Sequence, residues 1–162
     1  MRHTISLVLS NEVGALTRVA GLFTARGYNI ESLTVAPTEN ESLSRMTIAT
    51  AGSEAVIQQI VKQLKKLVDV VEVVDLTADA HLERELLLLK CSAEGSMRDE
   101  VKRLADIFRA NIVDVTKTSF VVELTGSAQK IDSFIAAVGE ENIKELARSG
   151  VTSVARGSAS LH

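Results

Sequence analysis

The segment Thr4-Ile5-Ser6-Leu7-Val8-Leu9-Ser10 sets Ile5, Leu7 and Leu9 two residues apart, the period of a strand with one face turned to a core. It runs through Asn11-Glu12-Val13-Gly14 into Ala15-Leu16-Thr17-Arg18-Val19-Ala20-Gly21-Leu22-Phe23. There Leu16, Val19, Ala20 and Phe23 recur at i, i+3, i+4 and i+7, the apolar stripe of a helix, with Arg18 turned elsewhere. A strand that passes through one short turn into an amphipathic helix opens a β-α unit, and the rest of the chain continues the pattern. Strand-like runs follow at Ile30-Ala36 and Arg45-Thr50, separated by the hairpin loop Pro37-Thr38-Glu39-Asn40-Glu41-Ser42. Ile57, Ile60, Val61 and Leu64 make a second helical stripe, and Val70-Leu76 a Val-rich strand. The order is β-α-β-β-α-β.

The second half repeats it. Strands are expected near Arg84-Cys91, Ile112-Thr116, Phe120-Thr125 and between about Ile143 and Ala155. Helical stripes fall on Val101, Leu104, Ala105, Phe108 and on Ile131, Phe134, Ile135, Val138. Leu22-Phe23 followed by Asn29-Ile30 mirrors Ile107-Phe108 followed by Asn111-Ile112. Ser53 and Ser127 suit helix N-caps, Ser96-Met97-Arg98-Asp99 resembles a capping box, and Gly27 and Gly139 stand where helices end. The expected fold class is therefore α+β, two tandem ferredoxin-like βαββαβ domains: residues 1–76, a joint at 77–82, and 83–162. Right-handed crossovers place both helices of each unit on one sheet face. The second strand, Ile30-Ala36, then lies at a sheet edge without the Lys, early Pro or inward charge that blunts an edge. Pairing with the same strand of another chain is the expected outcome.

Composition excludes several classes. In 162 residues, 18 Lys and Arg against 21 Asp and Glu leave a formal charge of −3, with no basic run longer than Lys65-Lys66. That argues against electrostatic capture of nucleic acid or an anionic membrane. Four Phe, one Tyr and no Trp leave little for base stacking. A lone Cys91 excludes a disulfide framework and suits a reducing compartment, and in its strand of leucines it reads as a small core residue. The apolar run after Met1-Arg2-His3 is too short for a signal peptide, and none approaches a membrane span, so a soluble cytoplasmic protein is expected.

Catalytic candidates are sparse. His3, His81 and His162 have no metal-ligand spacing and read as exposed or incidental. One loop carries more chemistry. Ser10-Asn11-Glu12-Val13-Gly14-Ala15-Leu16 leads into a helix N-terminus, whose free N–H groups and positive dipole end suit a carboxylate. Gly14 allows close approach, and Asn11 can meet an ammonium or a carboxylate. The same residues also read as an Asn-initiated turn and helix cap. If two edge strands pair, Asn29 and Ile30 of one chain could complete an enclosure for an aliphatic amino acid.

The run Asn11-Glu12-Val13-Gly14-Ala15-Leu16-Thr17-Arg18-Val19, continued by Gly21-Leu22-Phe23-Thr24-Ala25-Arg26-Gly27-Tyr28-Asn29-Ile30-Glu31-Ser32-Leu33-Thr34-Val35, resembles the ACT domain of acetolactate synthase small, regulatory subunits. The likeness continues through Leu43-Ile48, Gln63-Val70, Arg84-Lys90 and Ala147-Val151. It implies a homodimer paired through its ACT domains. Valine would be bound by Asn11, Gly14, Ala15 and Leu16 of one chain and Asn29 and Ile30 of the other. It also implies a thiamine-diphosphate-dependent catalytic subunit as partner, activated by this chain and made sensitive to valine feedback in branched-chain amino-acid synthesis. Thiamine diphosphate, Mg and FAD would belong to that subunit, with no cofactor, metal or catalytic residue in this chain. The second half has Ala93-Glu94-Gly95-Ser96 at the corresponding turn, where Glu94 repels a carboxylate, so a non-binding domain used in subunit contact or transmission is expected. A stand-alone ACT-type amino-acid sensor, a small ferredoxin-like enzyme and an RNA-binding domain are the rival readings.

Overall fold

A computed structural model describes residues Met1–His162. The elements are β1 (Arg2–Ser10), α1 (Ala15–Ala25), β2 (Ile30–Pro37), β3 (Leu43–Ala51), α2 (Glu54–Lys65), β4 (Val70–Asp75), β5 (His81–Ser92), α3 (Ser96–Phe108), β6 (Asn111–Val115), β7 (Ser119–Gly126), α4 (Ala128–Val138), β8 (Ile143–Arg148) and β9 (Thr152–Ala155). The chain divides into two compact units, Met1–Leu82 with Gly150–His162, and Glu83–Ser149.

In the first unit the sheet order is β2-β3-β1-β4, all antiparallel between neighbours, with β2 at an edge as its sequence position requires. Ile5, Leu7 and Leu9 of β1 and Met46 and Ile48 of β3 meet Ala15, Val19 and Phe23 of α1 and Ile57, Ile60 and Leu64 of α2 in one buried cluster. Both helices therefore cover one face of the sheet. The stripes read from periodicity are the residues that do this packing, each burial contributing roughly 1.5–3 kcal/mol for a large apolar side chain. Ser53 caps α2 by accepting from the Val56 amide at 3.3 Å.

The other sheet face carries small and polar side chains, yet Thr4, Ser6, Val8, Thr47 and Ala49 are buried. Residues 150–162 cover this face. Ser153 bonds Ser6 through their hydroxyls at 2.8 Å, the Ser153 carbonyl accepts from Arg45 Nη2 at 2.8 Å, and Val151 is wholly buried. The expected domain of residues 83–162 is thus shortened at its end. The run expected as one last strand is two, β8 and β9, broken at Gly150 with φ +82, and both pair with β5. A Cβ on Gly150 would lie 3.1 Å from Ser32 Cβ and from Thr34 Oγ1, so glycine lets the returning chain lie against β2.

The second unit repeats the order as β6-β7-β5-β8, with Leu87, Leu89 and Cys91 of β5 packed on α3 and α4. Ser127 caps α4 through the Lys130 amide at 3.2 Å. The capping box expected at Ser96 does not form: Ser96 is the first residue of α3, and Gly95 holds the cap position without a side-chain bond. Strand β5 starts at His81, which shortens the joint read at residues 77–82.

Candidate functional site

The turn between β1 and α1 is held from three sides. The Ser10 amide donates to the Asp69 carbonyl and the Asn11 amide to the Ser42 carbonyl, each at 2.8 Å, while Asn11 Nδ2 donates to the Glu41 carbonyl at 2.9 Å. The Asn11 side chain is thereby fixed, with Oδ1 left free. Gly14 occupies the N-cap position at φ +88, a conformation costly to any residue with a Cβ, and no side chain caps the helix. The N–H groups of Leu16 and Thr17 consequently have no partner within the chain. Ala15 is buried and Leu16 half exposed, so the helix start offers backbone donors beside one accessible aliphatic side chain. These are groups that can hold a carboxylate next to an apolar tail.

Arg18, which periodicity alone turns away from the core, completes this turn. Its Nε and Nη2 form a two-pronged pair with Asp69, whose side chain is nearly buried, and its Nη1 would meet a Cβ on Gly14 at 2.9 Å. The hydrogen bond to Asp69 raises the arginine above its ordinary value, and the same bond holds the Asp69 carboxyl below the usual carboxylate range. A partner 51 residues away in sequence leaves no local signal, which is why the pair is invisible to motif reading.

Asn29 and Ile30 follow the end of α1. Gly27 at φ +70 turns the chain, and the Asn29 carbonyl accepts from Thr50 Oγ1 at 2.6 Å. The Asn29 side chain is exposed, and Ile30 packs on the edge of the core. The structure does not bring these two residues to the Asn11–Leu16 turn within one chain. Ser10 pairs with Leu43 at one end of β3, and Ile30 with Thr50 at the other. Seven residues of strand separate the two positions, about 23 Å at ~3.3 Å per residue.

The corresponding turn of the second unit is filled from inside. Arg98 Nη1 donates to the carbonyls of Ala93, Thr116 and Lys117 at 3.0–3.2 Å, and its guanidinium lies 4.6 Å from the Phe120 ring centre. An arginine committed to three carbonyls ties the turn to the β6–β7 hairpin.

Other titratable groups gather no reactive constellation. No three His, Cys, Asp or Glu side chains converge as metal ligands. Cys91 is buried, and burial pushes its thiol up, away from a reactive thiolate. His3, expected at the surface, is instead buried, with Nδ1 2.9 Å from Asp75 Oδ2. Its strand extends to Arg2, so His3 is an interior strand residue. No helix is long and apolar enough to cross a membrane.

Two family models match the chain: an acetolactate synthase small-subunit-like ACT domain over residues 5–72 and the small subunit of acetolactate synthase over residues 84–157. The acetolactate synthase small subunit of Haemophilus influenzae is 56% identical over 158 residues, 97% of each chain. The isozyme 3 small subunit of Escherichia coli is 55% identical over the same length and shares. The crystal structure of the acetolactate synthase small subunit from Thermotoga maritima superposes with a TM-score of 0.89 at 35% identity, covering 98% of this chain and 99% of that one.

Proposed function

The chain belongs to the acetolactate synthase small-subunit family, and from that premise we propose that it binds valine between two copies of itself and passes the occupancy to a catalytic subunit. The observation that carries the reading is the opposed placement of the two half-sites along β3. Strands β1 and β2 both run antiparallel to β3, so they are parallel to each other. Antiparallel pairing of two β2 edges would bring Asn29 and Ile30 of the second copy to the end of the sheet that carries Asn11, Gly14, Ala15 and Leu16. The amino acid's carboxylate then meets the free amides of Leu16 and Thr17. Its ammonium meets asparagine oxygens, and its branched tail lies against Leu16 and Ile30.

In this reading the chain performs no chemistry. It activates the catalytic subunit, which carries the thiamine diphosphate, Mg and FAD, and valine returns feedback on branched-chain amino-acid synthesis. Inhibition follows if valine favours one dimer geometry over another, a coupling of typically ~1–3 kcal/mol. The test is reconstitution with the catalytic subunit and activity with and without valine, for the wild type and Gly14→Asp. The aspartate puts a negative group where the carboxylate belongs, so valine inhibition disappears in the variant. Undiminished inhibition in Gly14→Asp overturns the pocket. Valine binding without any association with the catalytic subunit favours the stand-alone sensor instead.

A further inference from the structure

Arg45 of β3 and Glu72 of β4 both pair with Val8 of β1, one from each side. They therefore face the same way, on the helix-free side of the first sheet, two strand spacings or about 10 Å apart at Cα. No ion pair joins them. Above them residues Val154–Ala155 and Ala159–His162 arch over the sheet and leave a cleft of about 440 Å³. Val74, Leu76 and Val154 give it apolar walls.

Arg45 is under-used in this cleft. Only Nη2 is bonded, to the Ser153 carbonyl at 2.8 Å, and Nε is buried with no partner. Burial pulls the guanidinium below its ordinary value against the attraction of Glu72. A half-buried guanidinium whose Nε is shut off from water without a partner is completed by a carboxylate. A simple anion is nevertheless disfavoured, because Glu39, Glu72 and Asp79 line the same space. A simple cation would satisfy these acids and leave Arg45 as it is. The group that answers both is one carrying the two charges a few ångströms apart, with an apolar remainder for Val74, Leu76 and Val154.

We infer that this cleft is a second binding site, for an α-amino acid with an aliphatic side chain, its carboxylate on Arg45 and its ammonium on Glu72. It shares no residue with the Asn11–Leu16 turn and needs no second chain.

Calorimetry of the full chain with L-leucine, L-valine and L-isoleucine tests this in the wild type and in Gly14→Asp, where the turn is blocked. Gly14→Asp retains one saturable site for at least one of the three. In that background Glu72→Gln, which keeps the shape and an acceptor for the His162 amide, and Arg45→Met each weaken binding by about tenfold or more. Isocaproate and isoamylamine, which carry one charge each, bind more weakly than leucine by a similar factor. Loss of all binding in Gly14→Asp overturns the inference and leaves the valine reading standing. Binding that survives Gly14→Asp but ignores Glu72→Gln overturns it as well.

Discussion

The hydroxyls of Ser6 and Ser153, 147 residues apart in sequence, meet in a buried hydrogen bond of 2.8 Å on the helix-free face of the first sheet. Neither hydroxyl is exposed to water, so each relies on the other. Replacing one leaves the other buried and unpaired, a loss of ~1–3 kcal/mol, whereas replacing both removes the need. Ser6→Ala and Ser153→Ala should each lower the urea midpoint, and the double variant should fall well short of the sum. Additive losses would mean that the returning segment is not held by this contact.

The Arg18–Asp69 ion pair at the turn gives a pH-dependent outcome. The bond from Arg18 lowers the folded-state value of Asp69, so its contribution to stability is complete above the unfolded carboxylate value of ~4. That contribution is lost as pH falls through the lower folded value. Urea unfolding at a series of pH values should show wild type ahead of Asp69→Asn at pH ~6, with the gap closing below pH ~4. A gap that stays constant down to pH ~3 would remove the ionic part of the argument.

Much of this arrangement is legible in the sequence because it is local. The period-two run of β1, the stripes of α1, α2, α3 and α4, and the serine caps at Ser53 and Ser127 each depend on neighbours within a few residues. What escapes is long-range or backbone-determined. Nothing near Thr152–Ala155 distinguishes a continuation of β8 from a separate strand that turns over the open face of the first sheet; the break falls at the left-handed Gly150. Likewise, nothing in the neighbourhood of Asp69 signals its pairing with Arg18, 51 residues away. The Asn11–Leu16 turn is legible as a helix start with open amides, but its remoteness from Ile30 emerges only from the register on β3.

Arg148 anchors the last strand of the second unit. Its Nε and Nη2 donate to the two carboxylate oxygens of Glu85 at 2.7 and 2.9 Å, and its Nη1 to Asp132 at 2.7 Å. The Glu85 side chain is only 4% exposed, so removing the arginine strands a charge in the interior. Arg148→Met should cost ~3–5 kcal/mol by urea unfolding. Adding Glu85→Leu should recover a large part of it, since the penalty is the unpaired carboxylate. Failure of the second substitution to recover any stability would assign the loss to packing of the arginine stem.

The edge strand supplies the sharpest test of the shared site. Val35 lies on β2 and is 37% exposed in the single chain, on the strand whose pairing with a second copy would unite the half-sites. A lysine there adds a charge to an edge otherwise open to pairing and places two like charges near a two-fold contact. Val35→Lys should sediment as a monomer at micromolar concentration, with the far-UV spectrum of the wild type. Its valine affinity should fall with the dimer, because Asn29 and Ile30 of one chain lie about 23 Å from the turn of that same chain. A monomeric Val35→Lys that still binds valine at the Asn11–Leu16 turn with wild-type affinity would show that one chain suffices, and the two-chain site would have to be abandoned.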